Sequence, residues 1–292
     1  MTQILGFLLI LVLITVGLAA TGAGAIVWAL PFELMLIGGA ALGTLLLGNS
    51  LPVALGALKG FWVAVRGSRW TQKDYAALLG VLHELCRRER QGGAIAIEAD
   101  VESPEESALM ATAARLQSDS AAQNLICEAF RLSALDMSDP RRAELRMDAM
   151  IDHHVTERMR SVAALQTVGD ALPALGIVAA VLGIIKTMTA IDASTAVLGE
   201  LIASALLGTF LGVFLSYGLV GPIAARFGQV VEEEAAALDT IRAFLTAHFS
   251  GASPSVSLEL ARSGIPAACQ PELGDLDQAV EAVRFVRHQH AA

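Results

Sequence analysis

A lone hydroxyl, two prolines and a missing acid define the chemistry open to this chain. Thr209 is the main polar side chain in the middle of residues 201–225, which hold no Asp, Glu, Lys or Arg. A hydroxyl there either bonds back to its own helix or offers its oxygen to a passing ion. Pro173 and Pro222 stand at the ends of two such uncharged runs. Each is either a tolerated helix-end proline or a hinge, because a proline inside a helix removes a backbone bond, costs ~3 kcal/mol and kinks the axis. The missing acid is the carboxylate that proton relays and ion sites ordinarily place inside a membrane. Glu33, Asp170, Asp192 and Glu200 flank the apolar runs, and none is expected within one. A chain built this way either handles ions with a carboxylate supplied by another chain or serves as a scaffold.

Other reactive side chains offer less. Asp152-His153-His154 has the look of a metal-binding run, but adjacent histidines on a helix point about 100° apart and do not chelate together. They are expected on a solvated helix face, with no metal site. Cys86, Cys127 and Cys269 are scattered and odd in number, which excludes a disulfide framework, and no CxxC pair offers zinc. Cys86 is expected as a small buried residue. No Gly-rich phosphate loop or nucleophile–base arrangement occurs, so neither an enzyme nor a cofactor is expected. Arg87, Arg88 and Arg90 form a basic cluster that Glu84 and Glu89 dilute.

The elements that must position these residues follow from composition. Hydrophobic residues make up 54% of the 292 and charged residues 17%, with a formal charge of −9. That charge makes a nucleic-acid binder unlike this chain. The charges are concentrated in two blocks: residues 60–170 hold 13 Lys/Arg and 17 Asp/Glu, and residues 226–292 hold 5 and 9. A helix needs about 20 apolar residues to cross ~30 Å of hydrocarbon. The uncharged stretches therefore predict an all-α, polytopic membrane protein with four transmembrane helices near 4–21, 34–51, 172–190 and 200–221, and a helical cytoplasmic domain. The expected division is 1–58 for the first two spans, 59–170 for a cytoplasmic loop domain, 171–222 for spans three and four, and 223–292 for a cytoplasmic tail. Lys59, Arg66, Arg69 and Lys73 follow the second span, Arg158 and Arg160 precede the third, and Arg226 follows the fourth. The positive-inside rule then puts both charged blocks and both termini in the cytoplasm.

Within the charged blocks, Ser103-Pro104-Glu105-Glu106 reads as a capping box that opens a helix. Ser138-Asp139-Pro140 opens another, and with no proline or glycine before Gly169 this helix should run straight into the third span. A helix from about 226 should likewise extend the fourth. Gly251 to Pro254 marks a break, and Pro266 and Pro271 suggest a loosely structured end. Ser204, Gly208, Gly212 and Ser216 recur every fourth residue, and Gly39-xxx-Gly43 and Gly176-xxx-Ala180 repeat the pattern. Such stripes let helix backbones approach closely in lipid, either within one chain or between subunits.

Residues 172–188, LPALGIVAAVLGIIKTM, and 205–218, ALLGTFLGVFLSYG, with Gly221-Pro222, resemble the third and fourth spans of the MotA-type flagellar stator proteins, within the MotA/TolQ/ExbB proton channel family. Arg90-Gln91-Gly92 through Glu98, Asp100 and Glu102-Ser103-Pro104 resemble the cytoplasmic loop of that family. Leu258-Glu259, Arg262, Gly264-Ile265-Pro266 and Pro271 resemble its tail. The resemblance implies a subunit of a proton-conducting stator in the bacterial inner membrane, a pentamer in contact with lipid around a dimer of a MotB partner whose aspartate binds the proton. It implies Arg90 and Glu98 as charges facing the rotor protein FliG, Pro173 and Pro222 as conformational coupling residues, and Ala180 and Thr209 as lining of the ion path. Sodium-driven relatives look to have a threonine where this chain has Ala180, and a methyl cannot coordinate a hard cation, so protons are expected. The alternatives are an energiser of the ExbB/TolQ type acting on a periplasmic protein, and a passive membrane scaffold.

Overall fold

A computed structural model describes residues 2–20, 24–135 and 140–290. Their regular structure is all helical. In chain order the helices are α1 (Thr2–Ala20), α2 (Gly24–Gly48), α3 (Leu51–Arg66), α4 (Gln72–Gly92), α5 (Glu98–Glu102), α6 (Ala114–Gln117), α7 (Ser120–Leu135), α8 (Pro140–Thr189), α9 (Thr195–Phe214), α10 (Gly221–Phe249), α11 (Pro254–Ser263) and α12 (Leu273–His290). The chain divides into two compact units, Met1–Gly67 with Arg158–Val230, and Ser68–Glu157 with Val231–Ala292.

The first unit carries the apolar helices. Three helical stretches among the described residues are long and apolar enough to cross a membrane: Leu30–Gly48, the apolar part of Pro140–Thr189, and that of Thr195–Phe249. The apolar run in α1, Leu5–Gly17, is shorter. Helix α2 is longer than the expected second span, because Pro31 is accommodated inside it. Ile37, Ala41 and Leu45 recur every fourth residue on α2 and are buried against Val168, Leu172 and Ala179 of α8 and Leu207 and Leu211 of α9. The opposite faces expose Leu46, Leu47, Ile177 and Leu206. Exposure of this kind, ruinous in water, is the ordinary surface of a helix in lipid.

Helix α8 begins at Pro140 and runs unbroken for 50 residues, as the sequence led one to expect. Ser138 and Asp139, expected to cap it, lie outside the described residues. Helices α9 and α10 are joined by a π-helical turn, Leu215–Val220, which sequence reasoning missed. Its cause is local. Pro222 has no N–H to give and crowds the carbonyl one turn back, so the preceding helix widens, and the Gly221 N–H donates to Ser216 O, five residues away.

The second unit packs around α4. Leu78, Leu79, Leu82 and Leu85 of that helix are fully buried with Met110, Leu125, Met147, Ile241 and Phe244. A capping box opens α4: Thr71 accepts from the Asp74 N–H, and the Asp74 carboxylate accepts from the Thr71 N–H at 2.9 Å. The box expected at Ser103 does not form. Pro104 disfavours the helical conformation in the residue before it, so Ser103 closes α5 instead, at φ −128° and ψ 65°, with its N–H donating to Ala99 O. The serine that caps a following turn is Ser107, whose Oγ accepts from the Met110 N–H and donates to Asp100. The break after α10 forms as expected, with Gly251 at φ +93° in the left-handed region that glycine tolerates. The stretch from Leu273 to Val283 is not loose. Beyond Pro271, α12 presents Leu276 and Val283, both buried, with Ala279 between them, to α4. Gly80 permits that approach: a Cβ there would lie 3.1 Å from Ala279 O.

Candidate functional site

In the membrane unit, α8 and α9 meet along a seam of small residues. A Cβ at Gly176 would lie 2.7 Å from Gly208 O and 2.9 Å from Gly212 Cα, and one at Gly183 would lie 2.7 Å from Ala205 Cβ. The Gly176-xxx-Ala180 and Gly208-xxx-Gly212 stripes therefore pack within one chain. Gly39 and Gly43 on α2 meet nothing within 4 Å. Of the two residues suggested as ion-path lining, the seam contains Ala180, and Thr209 follows a seam residue on α9. Ala180 is buried on α8, and a Cβ at Gly208, the residue before Thr209, would lie 3.2 Å from Ala180 N. Thr209 is half-buried. Its hydroxyl does not bond back to its own helix or to any described residue, whereas Thr187 Oγ1 donates to Gly183 O at 2.9 Å.

The two prolines weaken their helices at neighbouring levels. Pro173 lies inside α8 and leaves Gly169 O without its usual partner. A Cβ at Gly169 would stand 3.4 Å from Val220 Cγ1 and 3.7 Å from Gly221 N, beside the π turn that Pro222 forces.

The expectation that no carboxylate enters the apolar helices is corrected. Glu33 is part of α2, inside the stretch Leu30–Gly48, and is only 4% exposed. The sequence signal was present in the apolar residues on both sides of it. Extending the helix back through Pro31 turns a flanking acid into an internal one.

In the second unit, Arg90 lies in the last turn of α4 and is exposed. Its Nη2 donates to Gly251 O at 2.8 Å and Ala252 O at 2.5 Å, so the guanidinium holds the break between α10 and α11. Glu98 opens α5, is exposed and makes no ion pair among the described residues. The two are not paired with each other. The basic cluster expected at Arg87–Arg90 is largely neutralised. Arg87 grips Glu84 with two 2.8 Å bonds, and Arg88 bonds Glu84 at 3.0 Å and Asp100 at 3.1 Å. Burial alone would raise the Glu84 pKa, but the hydrogen bonds from Arg87 and Arg88 outweigh it and hold the carboxyl below its ordinary value. Beside Arg90, Glu89 meets His248 Nε2 at 2.5 Å. A cleft of about 540 Å³ opens there, lined by Glu89, Arg90, Ser133, His248 and Phe249. Asp152, His153 and His154 lie on α8, and no group of three or more potential ligands among the described residues could hold a metal.

Among the described residues, three stretches long and apolar enough to cross a membrane, two of them in helices that continue far beyond any membrane thickness, and a close-packed seam of small residues define a polytopic helical membrane protein. Residues 117–240 match the MotA/TolQ/ExbB proton channel family, and residues 4–93 match the N-terminal region of motility protein A. Motility protein A of Salmonella typhimurium is 33% identical over 289 residues, covering 99% of this chain and 98% of the relative. Chemotaxis protein LafT of Vibrio parahaemolyticus is 30% identical over 279 residues, covering 95% and 98%. The C. jejuni MotAB structure superimposes with a TM-score of 0.71 at 18% identity, covering 91% of this chain and 96% of that one. The flagellar MotAB stator complex of Bacillus subtilis superimposes with 0.71 at 20%, covering 91% and 97%. At those identities the likeness is one of fold. This chain belongs to the motility protein A family. It is a multi-pass protein of the inner membrane, and its family is one of proton channels rather than of enzymes.

Proposed function

We propose that this chain is a stator subunit of the bacterial flagellar motor, forming with a MotB-type partner a proton-conducting complex that turns ion flow into torque. The observation that carries this reading is the 33% identity to a motility protein A that runs over 99% of the chain. The match of residues 4–93 to the motility protein N-terminal region weighs against an ExbB/TolQ-type energiser.

In this reading five copies surround two copies of the partner, and residues 59–170 and 223–292, with both termini, lie in the cytoplasm. The α8–α9 seam, with Ala180 and Thr209, faces the partner's single span, whose aspartate is transiently neutralised by each proton. Pro173 and Pro222, set at neighbouring levels, yield as that charge changes, and α8 and α10 carry the motion onward. Arg90 and Glu98 then act on the rotor protein FliG. Each charge crossing a potential of ~100 mV supplies about 2.3 kcal/mol, so torque is built from repeated passages.

Complementation tests the reading. A host without its own motility protein A, given this chain with its MotB-like partner, should spread in soft agar, and the chain without the partner should not. Arg90→Glu and Pro173→Leu should abolish spreading while the protein still accumulates in the membrane. Normal spreading of both variants would remove those residues from the mechanism, and failure of the wild-type pair would remove the stator reading.

A further inference from the structure

Glu33 sits about 14 Å along α2 from Gly24, at 1.5 Å per residue, within the apolar stretch Leu30–Gly48. Its Oε2 is shielded from solvent and has no hydrogen-bond partner among the described residues. The oxygen is pressed onto the α8–α9 seam. A Cβ at Gly208 would lie 3.1 Å from Glu33 Oε2 and 3.2 Å from Ala180 N, so the absence of a side chain at Gly208 is what admits the carboxyl. Lys186 on α8 is the charged side chain whose field reaches Glu33.

An ionised carboxylate left unpaired among apolar helices is costly, and membrane proteins keep such groups chiefly on proton and ion paths. A leucine or glutamine would fill the same contact without that cost. A hard metal cation is a poor occupant, since it requires about six oxygen ligands and the neighbours shown here are the methyl of Ala179, the backbone of Ala180 and a glycine. A proton requires only the carboxylate.

We propose that Glu33 is a second proton-binding carboxyl of the conducting complex, belonging to this chain, which loads a proton beside Gly208 and Ala180. This rests on the stator reading. The proton adds to a carboxylate oxygen from water, giving the neutral acid. It leaves the same group through water toward the partner's carboxylate, so Glu33 ends each passage as it began.

The test is proton uptake into lipid vesicles containing the chain with its MotB-like partner, followed with a pH-sensitive dye from mildly acidic to mildly alkaline pH. Transfer through a positioned acid is generally worth ~10²–10⁴ in rate, so Glu33→Gln should lower the flux about tenfold or more and alter its pH profile. Glu33→Asp, which keeps the acid, should recover part of it. Copurification of the partner shows that each variant has assembled. An assembled Glu33→Gln complex with wild-type flux and pH profile would overturn the proposal while leaving the stator reading intact. Loss of assembly in both variants would also overturn it, making Glu33 a packing residue. A wild-type complex that conducts no protons would remove the stator reading, and this inference with it.

Discussion

Replacing Gly212 by alanine should force α8 and α9 apart, and the same substitution at Gly199, thirteen residues earlier on the same helix, should not. A Cβ at Gly212 would lie 2.6 Å from Leu172 O, 2.8 Å from Gly176 Cα and 3.1 Å from Gly176 N, all backbone atoms that no side-chain rotation can move. Carbon atoms rest at about 3.5–4.0 Å, so the helices must separate by roughly 0.7–1.2 Å. Overpacking of this kind costs about 1–3 kcal/mol. At Gly199 nothing lies within 4 Å, so only the higher helix propensity of alanine is felt, about 1 kcal/mol in its favour. That propensity gain applies equally at Gly212 and cancels in the comparison, leaving a difference of about 1–3 kcal/mol between the variants. The assay is thermal unfolding of the chain in detergent. At ~2–4 °C per kcal/mol for a domain of this size, Gly212→Ala should melt about 2–12 °C below Gly199→Ala. Equal melting temperatures would refute the seam as the contact that holds the two helices.

Three further outcomes follow from the second unit. Thr71→Ala removes the hydroxyl that accepts from the Asp74 N–H in the α4 capping box and should cost about 1 kcal/mol, read as a lower melting temperature. Glu84 has a folded pKa below its ordinary 4.5, so the unfolded chain takes the proton first. Its stabilisation is complete above about 4.5 and is lost as pH falls through the folded value, and Glu84→Gln should flatten that part of the melting-versus-pH curve. Thiol labelling of the native protein at mildly alkaline pH, counted by mass spectrometry, should modify half-buried Cys269 and spare Cys86 and Cys127. Burial pushes the Cys86 thiol well up and that of Cys127 to about 11, and rapid labelling of either would contradict their placement in the core.

The long-range features were legible because their signals are long. The uncharged run 201–225 and the unbroken stretch from Pro140 to Gly169 dictate α8 and α9 whatever else surrounds them. Short signals misled where a neighbour decided the outcome. Ser103 has the residues of a helix cap, yet Pro104 and the Ala99 carbonyl make it a helix end, while Thr71-xx-Asp74 showed the same pattern and formed the box. Pro266 and Pro271 implied a loose tail, but Leu276, Ala279 and Val283 recur with helical spacing and find the surface of α4. Glu33 was the most consequential miss. Charge-free windows end at a charge by definition, so an acid buried among apolar residues looks like a boundary, and only the packing of α2 on Gly208 reveals it as interior. In the cluster from Arg87 to Arg90, the arginines were visible but their pairing was not. Glu84 is close to Arg87 and Arg88 in sequence, but the reach of Arg90 to Gly251 and Ala252 spans the fold.

The central claim is that protons passing this chain and its partner do mechanical work. Rotation of tethered cells that depend on the pair, recorded in sodium-free medium while an uncoupler is titrated, tests it most directly. The account predicts rotation without sodium at a speed that falls with the proton-motive force. Rotation that stops when sodium is withdrawn at constant proton-motive force, or that persists after the proton gradient is collapsed, would contradict it.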